Sequence, residues 1–153
     1  MKYTKVIYAA CIILVVYLGL LYLHSQKLKQ PTKTVTINHH TFSVILAKTS
    51  QEQAKGLGQR ASLPPDQGML FPFGKADMLH FWMKDMEFPI DIIFIRGNTI
   101  VSIAPNAPVR KVPESKLPIY SSAQPSDSVL EINAGLSEKY NFKAGDTVTI
   151  PPQ

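Results

Sequence analysis

Phe88-Pro89-Ile90-Asp91-Ile92-Ile93-Phe94-Ile95, followed by Arg96-Gly97-Asn98 and then Thr99 to Ala104 (TIVSIA), is the stretch that decides the fold. The first run is short, β-branched and bounded by proline and arginine-glycine, which suits a buried strand better than a helix. The Arg96-Gly97-Asn98 connection is short enough to turn it straight back into a second strand, a β-hairpin. Working outward, the same signature recurs. Thr34 to Asn38 and Phe42 to Ala47 flank Asn38-His39-His40 as another hairpin. Gly68 to Phe73, His80 to Met83, Val129 to Ile132 and Asp146 to Ile150 are further strand candidates. Thr49 or Ser50 with Glu52 or Gln53 forms a capping-box pattern, opening a short helix that Gly56 and Gly58 close, and Gly135 to Tyr140 reads as a helical turn. Twelve prolines against eight glycines reinforce a build of short elements and fixed turns. The expected fold is mainly β, a small barrel or sandwich-like domain over residues 34–153 with one or two short helices. Pro105 to Pro125 is long for a connection and is expected to form a lid or rim.

Ahead of this domain, Val6 to Leu23 is eighteen uncharged residues, which as a helix would extend ~27 Å, just enough to span a bilayer. Tyr3 and Tyr22 fall where interfacial aromatics belong. A cleaved signal peptide needs a small-residue site after its apolar run, and His24-Ser25-Gln26-Lys27 supplies none, so the segment reads as a retained anchor. Ala9-Ala10-Cys11 comes too early in the run for lipid attachment. Residues 1–5 are then expected in the cytoplasm, 6–23 in the membrane and 24–33 as a linker. The domain from residue 34 is expected on the periplasmic or extracellular side of the cytoplasmic membrane, since a long domain behind such a segment translocates largely regardless of charge.

The formal charge of +5 follows the same division. Lys2, Lys5, Lys27 and Lys29, four of the sixteen basic residues, flank the apolar segment, which leaves twelve basic residues against the eleven acidic ones. A nearly neutral domain has no basic stripe for phosphates, so nucleic acid is not an expected partner. Cys11 is the only cysteine, so the domain holds no thiol for a disulfide, a zinc site or a nucleophile. The adjacent pair His39 and His40 diverges, His80 stands alone, and no metal or cofactor is expected. The glycine-rich phosphate loop, the Ser-His-Asp signature and the helical His-Glu pair are all missing from the sequence.

Three polar positions stand out in the strands. Period-2 alternation puts Asp91 on the face of Ile93 and Ile95, where a carboxylate must be paired, hydrogen-bonded or neutralised. It is either an acid or base in a pocket or an acid that caps a loop or pairs with Lys84 or Arg60. Glu131 shares a side with Val129 and is a candidate to join Asp91. In Phe81-Trp82-Met83-Lys84, Phe81 and Met83 are expected inward, leaving the only tryptophan beside Lys84 on an outer surface or groove. That pair is either a platform for an anionic or sugar-like ligand or a half-buried ring with lysine over it.

Gly56-Leu57 with Arg60, Gly68-Met69-Leu70-Phe71, Phe81-Trp82-Met83-Lys84, Pro89-Ile90-Asp91-Ile92-Ile93-Phe94 and Val129-Leu130-Glu131 with Ala134-Gly135 resemble the family called domain of unknown function 192, over about residues 34–150. The resemblance implies a small, mainly β fold, often behind a signal or anchor segment in bacteria and archaea, and no assigned activity. Its motif positions fall on Arg60, Trp82, Lys84, Asp91 and Glu131. The chain departs from the pattern at Asp85-Met86, where the family has Asn-Thr, and at Gly58-Gln59. Asp85 puts a negative charge beside Lys84.

The leading expectation is a non-enzymatic binding or accessory module that recognises a small ligand or envelope protein through Arg60, Trp82, Lys84 and the Pro105 to Pro125 loop. The alternatives are an envelope or carbohydrate-active enzyme with Asp91 and Glu131 as an acid/base pair, and a domain in which the motif residues only hold the fold together.

Overall fold

Strand β5 (Ile90–Arg96) is buried at every position from Ile90 to Ile95, the mark of a strand covered on both faces. The computed structural model describes residues 14–17 and 33–150. The span expected over residues 6–23 lies outside the described residues except for 14–17, which are helical. Among the described residues no helix is long and apolar enough to cross a membrane. The body from Thr32 onward is one unit, separate from Met1–Pro31.

Besides β5, its strands are β1 (Lys33–Ile37), β2 (His40–Leu46), β3 (Gln67–Asp77), β4 (His80–Phe81), β6 (Thr99–Ala107), β7 (Tyr120–Ser121), β8 (Ser126–Asn133) and β9 (Val148–Thr149). Seven form one curled half-barrel sheet in the order β6-β5-β8-β3-β2-β1-β9, while β4 and β7 pair separately. Both expected hairpins are present, β1 with β2 and β5 with β6. Asn38 and Gly97, at φ 51° and 57°, supply the left-handed turns. The curl brings the two ends of the sheet together: Thr99 bridges Thr147, and Ile100 N donates to Asp146 O at 3.0 Å.

Helix α1 (Ser50–Lys55) begins at a full capping box, in which Thr49 Oγ1 accepts from Glu52 N and Glu52 Oε2 accepts from Thr49 N. It sits in the crossover between β2 and β3, which pair in parallel, a pairing the local signals did not reveal. Gln53 pins it to the sheet by donating to Ala47 O and Pro72 O. Helix α2 is a single turn, Leu136–Lys139.

Two expectations are corrected. The strand foreseen over His80 to Met83 ends at Phe81, because β4 has only the two-residue β7 to pair with. The Pro105 to Pro125 passage is also not one loop. It contains the end of β6, a 3-10 turn at Glu114–Lys116 and β7.

The central strands carry a core on each face. One includes Met69, Phe71, Ile92, Phe94, Val129 and the inward-turned Met83. The other includes Leu70, Ile93, Ile95, Leu130 and Ile132. Directly opposed residues on antiparallel strands share a face, so the β5 to β8 register decides where each carboxylate points. Asp91 pairs with Ile132, and Glu131 with Ile92.

Candidate functional site

Asp91 is fully buried and saturated with backbone donors. Its Oδ1 accepts from Asn106 N at 2.8 Å and Gly135 N at 3.1 Å, and its Oδ2 accepts from Ser137 N at 2.8 Å. Three charge-assisted bonds tie β6 and the start of α2 to β5. Of the roles open to it from sequence, the geometry is that of the acid that caps a loop.

Glu131 is also buried, at 5% exposure, but on the other face of the sheet. The expectation that it joins Asp91 is therefore corrected. The alternation that puts Glu131 opposite Leu130 and Ile132 also puts it opposite Asp91, because Asp91 shares its side with Ile132. The acid/base pair is not assembled. Oε2 of Glu131 has no hydrogen-bond partner among the described residues. Burial without a compensating charge pushes its carboxyl up to about 8, so at neutral pH it carries its proton.

Glu131 opens onto a small cleft, with Trp82, Lys84, Lys55, Gly56 and Phe71 also in its lining. Its free interior is about 30 Å³, room for a water or two or one small polar group. Each wall has a local cause. Phe71 and Phe81 lock edge to face, with centroids 5.1 Å apart. Gly56 closes α1 at φ 51°, where a side chain is strained. A Cβ there would stand 3.8 Å from Glu131 Oε2, so the glycine leaves space beside that buried oxygen. Gly58 is equally required, since a Cβ would lie 2.9 Å from Lys55 O and 3.2 Å from Lys84 O. Behind the cleft, Gly68 lets β3 approach β8, where a Cβ would stand 2.8 Å from Glu131 O.

Trp82 and Lys84 lie just past the end of β4 and form the rim, with Lys84 Nζ 5.5 Å from the Trp82 ring centre and the tryptophan 40% exposed. Lys84 Nζ also meets Glu114 Oε2 at 2.7 Å, with both side chains substantially exposed. The Glu114 carboxylate raises the lysine's affinity for its proton. Glu114 belongs to the proline-rich passage, so that passage does reach the rim. Sequence reasoning placed the passage there but did not single out Glu114, and nothing local distinguishes it from other exposed acids.

The structure thus brings Trp82, Lys84 and Glu131 together and leaves Asp91 on the far side. Arg60 is half-buried and is not among the residues lining this cleft. The histidines serve elsewhere: His40 stacks on Tyr140 at 3.8 Å, and His80 Nδ1 lies 2.8 Å from Ser121 Oγ. Among the described residues no three His, Cys, Asp or Glu side chains cluster to hold a metal.

Comparisons with known proteins agree with this fold. A protein of unknown function from Novosphingobium aromaticivorans is 37% identical with a TM-score of 0.70, the match covering 77% of this chain and 84% of that one. A protein from Sinorhizobium meliloti, described as a candidate transcription regulator, is 30% identical with a TM-score of 0.72, covering 80% and 96%. No curated protein matches the chain. The family model of DUF192, described as "Uncharacterized ACR", matches residues 33–150, the whole β-rich body with its Glu131 cleft, and the chain belongs to that family.

Proposed function

We propose that this chain is a membrane-tethered extracytoplasmic binding module that captures a small ligand, or a small group on a larger partner, in the cleft of Trp82, Lys84 and Glu131. One observation carries the reading: Glu131, whose buried Oε2 has no partner among the described residues, lines a cleft in the surface. An unsatisfied buried polar atom costs roughly 1–3 kcal/mol. That cost is relieved when a water or a polar group of a ligand reaches the oxygen through the cleft. A rim of exposed tryptophan and lysine suits recognition of a group that is partly flat and partly polar.

The enzyme reading loses its geometry with the separation of Asp91 from Glu131. A DNA-bound role, as the description of the Sinorhizobium relative suggests for that protein, finds no support in the balanced charge of residues 33–150. The tether rests on the uncharged run from Val6 to Leu23.

Two measurements test the proposal. The full-length chain should sediment with membranes and leave them only with detergent, and recovery of the uncut chain in the soluble fraction overturns the tether. A screen of small envelope-derived molecules, read by the emission of the only tryptophan, should yield a saturable binder whose response disappears in Glu131→Leu. A binder indifferent to that change would move the site elsewhere.

A further inference from the structure

The charge of the ligand can be inferred from the cleft, on the footing of the binding role just proposed. The lining holds two cations, Lys55 and Lys84, against one carboxyl, Glu131. Glu131 is buried with Oε2 unpartnered and holds its proton at neutral pH, so it offers an O–H donor and no negative charge. With Glu114 and Asp85 beside Lys84 the rim is close to charge-balanced. The lining itself presents ammonium and O–H donors, which disfavours an amine and favours an oxygen acceptor that replaces Glu114. A carboxylate already sits at its mouth. Glu114 Oε2 is 2.7 Å from Lys84 Nζ, in a pair whose side chains are 39% and 52% exposed. Exposed pairs of this kind are held weakly and exchange readily with competing anions. A larger hollow of about 190 Å³ lies beside Leu70, Gly97 and Asp127. It carries no comparable signal, since both Asp127 oxygens are occupied by Gly97 N and Ser128 Oγ.

We propose that the cleft binds a small carboxylate-bearing ligand whose anionic group takes the place of Glu114 on Lys84 while Glu131 donates a hydrogen bond to an oxygen of the same ligand. Binding then frees the Glu114–Lys116 turn from the rim. Ligand capture and the position of the proline-rich passage become one event.

The test uses the full-length chain in detergent micelles near pH 6 at constant ionic strength, titrated separately with acetate, acetamide and methylammonium chloride. Emission from Trp82 is the readout, because the ring lies against Lys84. Acetate should give a saturable change in roughly the millimolar range expected for so small a ligand. Glu114→Gln should tighten acetate by up to about fivefold, the worth of an exposed ion pair, and Lys84→Met should abolish saturation with melting unchanged. Should acetate saturate with no tightening in Glu114→Gln, the exchange on Lys84 is refuted. If acetamide or methylammonium saturates and acetate does not, the cleft remains a binding site and the anionic ligand class is refuted. Failure of all three probes refutes the cleft as well.

Discussion

Asp91 and Glu131 occupy neighbouring strands of one sheet yet point to opposite faces, because Asp91 is opposed by Ile132 and Glu131 by Ile92. Two buried acidic side chains a register step apart thus have separate fates. Asp91 accepts three backbone N–H groups, while Glu131 leaves an oxygen unbonded.

Asp91→Ala should be among the most destabilising single changes in the domain. It strands three amide donors and opens a small void, at a cost of about 3–5 kcal/mol. Thermal unfolding of the detergent-solubilised chain should show a drop of ten degrees or more, by the usual relation for domains of this size. A melting temperature within a degree or two of wild type would rule out the capping role.

Glu131 makes stability fall as pH rises. Its carboxyl ionises near 4.5 in the unfolded chain and at about 8 in the folded one. Between those values the unfolded state sheds its proton first, so the contribution is fully present below about pH 4.5 and lost by about pH 8. The swing is on the order of a few kcal/mol. Glu131→Gln removes this component, so denaturant midpoints of wild type and variant should converge toward pH 5 and separate toward pH 9. Parallel profiles would mean that Glu131 does not titrate in this way.

Gly68→Ala should destabilise although its added methyl is apolar and internal. The new Cβ would lie 2.8 Å from Glu131 O and 3.1 Å from Leu130 Cδ1. Backbone at that distance cannot yield cheaply, so a loss of about 1–3 kcal/mol is expected. Chemical denaturation measures it, and a neutral result would show that β3 can move off β8 without penalty.

Gly56→Ala separates conformational strain from steric conflict. Its Cβ would make only ordinary contacts, with Phe71 Cζ at 3.5 Å, so the cost should come from the φ of 51° alone. With ψ at −136° the backbone lies outside the left-handed helical well, so a loss of roughly 1–3 kcal/mol is expected. Because the methyl also fills the space beside Glu131 Oε2, ligand capture should weaken more than stability does. Equal effects on both would argue against a ligand approaching that oxygen.

Much of this was legible from local pattern. The two hairpins, the capping box at Thr49 and Glu52, the inward Met83 and the outward Trp82 with Lys84 all follow from spacing within a few residues. What escaped depends on contacts between distant parts of the chain. The parallel β2 to β3 pairing is made through a crossover, and alternation within one strand gives no information about register with the next. That is why Asp91 and Glu131 looked like partners: each strand was read correctly, but which face of β8 matched which face of β5 was not encoded in either. The Lys84 to Glu114 contact spans thirty positions and rests on exposed side chains that no periodicity governs.

The closing of the sheet at Thr99 and Thr147 reaches beyond the site. The first residues of β6 are occupied by Gly145 and Asp146, and Pro105 interrupts the remainder with a residue that has no N–H to give. At the other end, β9 is two residues long. Among the described residues, a neighbouring copy that approaches the seven-stranded sheet therefore meets a seam and a stub where an open sheet would offer a ladder, which blunts edge-to-edge pairing there.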